Sequence, residues 1–105
     1  MVFANRLSRV SWDKHGEHEY VLVGDGATID VPRLQGLIDT TFDSHSLCFA
    51  FSRRFALTVP RSEAVDWIAQ RALLKQGSVV ADEGLRTFLQ VHAIGVARTG
   101  TALPN

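Results

Sequence analysis

From residue 47 to residue 59 the chain alternates without a break. Leu47, Phe49, Phe51, Arg53, Phe55, Leu57 and Val59 hold the odd positions, and Cys48, Ala50, Ser52, Arg54, Ala56 and Thr58 the even ones. A repeat of two puts each set on one face of a β-strand. The run exceeds the usual strand of about 5–6 residues, so it reads either as one long bent strand or as a hairpin. A three-residue turn at 52–54, pairing Phe51 with Phe55, keeps the parity. A two-residue turn at the arginines, pairing Phe51 with Ala56, breaks it.

Elsewhere the period changes. Residues 4–12 and 18–24 read as two strands joined into a hairpin by the polar stretch 13–17, and Gly24, Asp25 and Gly26 close the second as a turn. Over residues 30–42, Leu34, Leu37, Ile38 and Phe42 fall on one helical face, with Pro32 where a first turn accepts it. Pro60 stops the alternating segment, and Ser62 is placed to cap a helix from Glu63 to about Gln76, with Gly77 just past its end. Its core face is Val65, Ile68, Ala69, Ala72 and Leu73. Asp82 is read as the cap of a last helix in which Leu85, Phe88, Leu89 and His92 share a face and Gly95 is the stop, although this stretch is also rich in strand-favouring residues. Residues 98–105 read as a flexible tail.

The predicted order is ββαβ(β)αα, an α+β class in which one largely antiparallel sheet packs against two C-terminal helices in a single domain over residues 1–97. The core is predicted from Leu47, Phe49, Phe51, Phe55, Leu57 and Val59, facing Val65, Ile68, Leu73, Leu85, Phe88 and Leu89. The length of 105 residues suits one core, and 46% apolar against 21% charged residues is a globular composition. Cys48 is the lone cysteine, so an internal disulfide is excluded. No apolar run approaches the roughly 18–20 residues of a membrane helix, and no secretory signal opens the chain, so a cytoplasmic protein is expected.

The formal net charge is zero, yet residues 1–46 carry four basic and seven acidic side chains and residues 47–105 carry seven and four. Such asymmetry can mark a basic contact surface. Arg53, Arg54 and Arg61 are the candidates, with phenylalanines near enough in sequence to stack on exposed bases. Neutral total charge weighs against nucleic acid.

Other constellations are incomplete. His15 and His18, three apart beside Glu17 and Glu19, offer two imidazoles to a metal that normally takes three or four ligands. Asp43, Ser44, His45, Ser46 and Cys48 include the residue types of nucleophilic catalysis without a strand-turn-helix elbow around either serine. Gly24-Asp25-Gly26 lacks the spacing of a phosphate loop. His92, set among apolar residues, reads as structural. No catalytic residue, metal or cofactor is assigned.

What remains is one unusual helix. Trp67 and Leu74 point away from the core face of residues 63–76, and Arg71 lies one turn from Trp67. Trp and Arg are enriched where binding energy concentrates. The sequence therefore predicts a small non-enzymatic protein that binds another protein, in the manner of an inhibitor, an adaptor, an antitoxin or an immunity protein of bacterial toxin systems. Trp67, Arg71 and Leu74 form the main patch, and Arg53, Arg54 and Arg61 an accessory one. The same stripe also suits a homodimer. The alternatives are a small ligand-binding protein or enzyme using His45, His92 or Arg53 in a pocket between helices and sheet, and a nucleic-acid binder using Arg53, Arg54 and Arg61.

Overall fold

The alternation at residues 47–59 resolves into an antiparallel hairpin in the computed structural model, which describes residues 10–14, 20–24, 28–52 and 55–103. Strand β3 (Ser46–Ser52) pairs with β4 (Phe55–Pro60), matching Leu47 with Val59 and Phe49 with Leu57. The connection is shorter than the favoured three-residue turn. Ser52 pairs with Phe55, Ala50 pairs with Ala56, and the register shifts between them. Phe51 is the extra residue, and a one-residue bulge absorbs the parity that a two-residue connection breaks. Leu47, Phe49 and Val59 thus share one buried face. The side chains of Phe51 and Phe55 lie outside the described set.

Among the described residues the other elements are β1 (Val10–Trp12), β2 (Val21–Leu22), α1 (Val31–Thr41), α2 (Arg61–Leu73), β5 (Ser78–Asp82), β6 (Thr87–His92) and β7 (Val96–Ala102). The strands form one antiparallel sheet in the order β1-β7-β6-β5-β3-β4, with β2 also on β7. The protein is α+β, with a single sheet packed against two helices in one domain, and the order follows the expected ββαβ(β)α as far as α2.

Beyond α2 the expectation of a second C-terminal helix is corrected, because β5, β6 and β7 follow instead. Asp82 does accept backbone N–H groups, as predicted, but they belong to a hairpin turn: its Oδ1 takes Arg86 N at 2.7 Å and Thr87 N at 3.1 Å. The same carboxylate chemistry caps helices and closes turns. Phe88 and Leu89 matched a helical face because both are fully buried, yet they lie on opposite faces of β6, in separate apolar clusters. A strand covered on both sides loses its alternation. The tail expected from residue 98 is likewise β7 as far as Ala102, held between β6 and β1.

The N-terminal hairpin is also corrected. Val10–Trp12 pairs with residues 100–102 and Val21–Leu22 with residues 96–97, both antiparallel to β7. The two segments therefore run in the same direction, as two pieces of one interrupted edge strand.

Helix α1 matches its prediction. Asp30 caps it by accepting Arg33 N at 3.2 Å, Pro32 sits in the first turn, and Leu34, Ile38 and Phe42 are buried with Leu37 partly so. Helix α2 starts and ends earlier than predicted: Pro60 is its N-cap without a side-chain bond, and Lys75, not Gly77, takes the left-handed conformation after its last turn at φ 59°. Ala64, Val65, Ile68 and Ala72 are buried, whereas Leu73, assigned to the core by spacing, is 71% exposed. Since β4 and β5 both run antiparallel to β3, α2 is a crossover between parallel strands and must run back against β4. Both helices cover the same face of the sheet, and the other face carries no helix among the described residues.

Candidate functional site

The predicted contact residues take unequal roles. Arg53 and Arg54 lie outside the described residues, as do His15 and His18. Arg61 is half-buried at the start of α2, where its Nη1 donates to the Phe42 carbonyl at 2.6 Å and its backbone N–H to the His45 carbonyl at 2.7 Å. Its guanidinium thus joins the end of α1 to the start of α2. Arg71 donates from Nε and Nη2 to the Gly77 carbonyl at 3.1 and 2.8 Å and from Nε to Ser78 Oγ at 3.2 Å, bracing the link to β5. Trp67 is 36% exposed, its ring tilted against Phe49 at 6.3 Å between centroids, and Leu74 is 70% exposed.

His45 lines an open cleft of about 310 Å³ with Gln35, Asp39, Arg61 and Ser62, where the two helices approach. Gln35 Nε2 donates to Asp39 Oδ1 at 2.9 Å. The fold separates His45 from Cys48, because the thiol packs with Ala81 and Phe88 on the helix-free face, 3.9 Å from Thr58 Oγ1. A thiol and a base on opposite faces cannot form a nucleophilic pair. No group of three or more His, Cys, Asp or Glu suited to a metal occurs among the described residues.

The helix-free face holds the assembly that the sequence reading missed. Cross-strand register places Trp12 opposite Gly100, Gln90 opposite Arg98, and Leu22 opposite Val96, which is in turn opposite His92. A Cβ built on Gly100 would lie 2.6 Å from Val10 Cγ1, 2.7 Å from the Ser11 carbonyl oxygen and 3.0 Å from Trp12 Cε3. Only glycine leaves room for the indole to lie across the strand. The Arg98 guanidinium stands 3.9 Å from the Trp12 ring centroid and 5.2 Å from that of Tyr20, while its Nε donates to Gln90 Oε1 at 2.7 Å. Stacking of this kind is stabilising for a weakly hydrated guanidinium. Tyr20 then meets His92 at 5.5 Å between ring centroids, so His92 is an open-face residue and not the helix-face residue that its spacing suggested.

This row ends in an apolar groove of about 370 Å³ lined by Tyr20, His92, Ile94 and Val96. Leu22 and Ile94 beside it are each 64% exposed. A repeat of two in residues 96–102, with Val96, Arg98, Gly100 and Ala102 on one face, was the available signal. It is weak because only one of the four side chains, Val96, is apolar and larger than a methyl group.

No protein family, curated protein or solved structure matches the chain. No helix among the described residues is long and apolar enough to cross a membrane.

Proposed function

We propose that this protein acts by binding another protein, and that the helix-free face of the sheet is where it does so. The observation that carries this reading is the groove between Tyr20, His92, Ile94 and Val96, bordered by the exposed side chains of Leu22 and Ile94. Large apolar side chains clustered at the surface remain in contact with water until a partner covers them. The occupant that fits is an apolar side chain on a partner protein. His92 and Val96 are ladder partners of β6 and β7, so strand pairing fixes half of the lining and limits the ordering cost of binding. A role as inhibitor, immunity protein, antitoxin or adaptor belongs to this reading.

Nucleic acid fits less well. The Arg98 guanidinium already lies over the Trp12 and Tyr20 rings and His92 packs tilted against Tyr20, whereas a base platform offers open ring faces. The cleft at His45 and Arg61 supports a second reading, a small polar ligand, with Asp39 and Ser62 as further contacts.

Affinity capture from the source organism, run in parallel with wild type and Ile94→Asp, tests the proposal. The expected result is one protein retained by wild type and lost from a variant whose thermal melt is unchanged. Equal retention by both removes the groove from the interaction. A salt-dependent shift of single-stranded RNA or DNA without a protein partner replaces this reading with the nucleic-acid one.

A further inference from the structure

Strand β4 ends the sheet. It pairs with β3 alone among the described residues, so alternate residues turn their N–H and C=O groups outward. An edge of this kind is a template for another strand. Helix α2 lies beside it. Trp67 packs on Phe49, whose ladder partner is Leu57 of β4, itself 36% exposed. Ser62 lines a cleft with Gln35 and Asp39 of α1, so that flank of α2 faces α1. Trp67, about 140° round the helix from Ser62, occupies the flank turned away from α1 and toward this edge. At about 100° per residue, Glu63, Trp67, Gln70 and Leu74 share that flank, and all four are exposed. Their spacing of four, three and four residues is that of a helix seam able to face a second helix.

Charge selects the occupant. Glu63 lies in the first turn of α2, while Lys75 follows its last turn beside Leu74. A helix acidic at its start and basic at its end matches an antiparallel copy of itself. Because α2 runs back against β4, one two-fold axis normal to the sheet, lying just outside the middle of β4, makes both β4 and α2 antiparallel to their copies. Under that axis Trp67 faces Gln70 of the second copy, and Glu63 faces Leu74 and Lys75. The formal net charge of zero leaves little long-range repulsion between copies.

We propose that the protein forms a two-fold homodimer in which β4 pairs with β4 of a second copy and the Glu63–Trp67–Gln70–Leu74 flanks of the two α2 helices meet. The sheet becomes continuous across the axis. The groove at Ile94 is on the opposite face, so the two surfaces are separate and Ile94→Asp leaves self-association unchanged. A six-residue strand and one helix flank make a small isologous interface. A dissociation constant of about 1–100 µM is expected.

Sedimentation velocity on the full chain, from about 1 to about 500 µM so as to bracket that range, reads the outcome directly. Wild type passes from single to double mass. Leu74→Asp, at a site too exposed to affect folding, raises the dissociation constant about tenfold or more. Glu63→Lys and Lys75→Glu each weaken the dimer, and the double variant restores it, because in an isologous contact the exchanged charges still face each other. A wild type that stays single at every concentration, a Leu74→Asp variant that dimerises as well as wild type, or a double variant no tighter than the singles overturns the proposal.

Discussion

On one face of the sheet Leu47, Phe49, Val80, Leu89 and Val91 are buried beneath α1 and α2, together with Leu34, Ile38, Val65 and Ile68 from the helices. On the other, Trp12, Arg98, Tyr20 and His92 pack in a row across the strands, with a smaller cluster at Ala81 and Phe88 beside them. The first face is closed by secondary structure and contains little but aliphatic and phenylalanine side chains. The second is bridged by long amphipathic side chains, and it leaves an apolar groove where the row ends at Ile94. Stability and recognition are thereby divided between the faces. A helix-covered core tolerates no opening, whereas side chains with polar ends can meet water and a partner.

Three substitutions sharpen this division. The largest effect belongs to the covered face: Phe49 is 1% exposed, and Phe49→Ala should cost about 3–5 kcal/mol of unfolding free energy, read from the fall in denaturant midpoint. A near-wild-type midpoint would show that the helices do not close a true core. Next is Gly100→Ala, whose Cβ meets Val10, the Ser11 backbone and Trp12, and which should cost about 1–3 kcal/mol as an overpacked site. It should also shift Trp12 fluorescence, recorded in a Trp67→Phe background. An unchanged emission spectrum would mean that the indole does not lie across the strand. The smallest is Arg98→Ala, about 0.5–1 kcal/mol from the lost stacking on Trp12 and Tyr20. If Arg98→Lys matches wild type in thermal melts, charge alone accounts for the residue and the planar stack does not.

Legibility in the sequence followed how one-sided each element is. Helix α1 was readable nearly to the residue, since Asp30, Pro32 and the Leu34, Ile38, Phe42 face agree with one another. The hairpin of β3 and β4 was readable in parity but not in connection, because a bulge at Phe51 is invisible to a count of alternating positions. Residues 82–102 are the least legible, since they read as a helix capped by Asp82, with strand-favouring residues inside it, and as a tail from residue 98. Val79 and Val80, and again Phe88 and Leu89, point to opposite faces of the sheet while each contacts an apolar cluster, so neither a strand period nor a polar face remained in the letters. Polar residues of β7 completed the error: Thr99 is buried and donates to Asp13 Oδ2 at 2.8 Å, a partner far away in sequence.

The sequence by itself determined the α+β class, the two helices and the inner face of β3 and β4, since local spacing and capping chemistry act within a few residues of one another. Tertiary structure decided which face of the sheet the helices cover, that residues 10–12 and 21–22 share one neighbour instead of pairing together, and that Trp12, Tyr20, His92 and Arg98 meet. Those four come from the two ends of the chain. Their approach depends on cross-strand register and on the space that Gly100 leaves, and neither quantity exists until the sheet has formed.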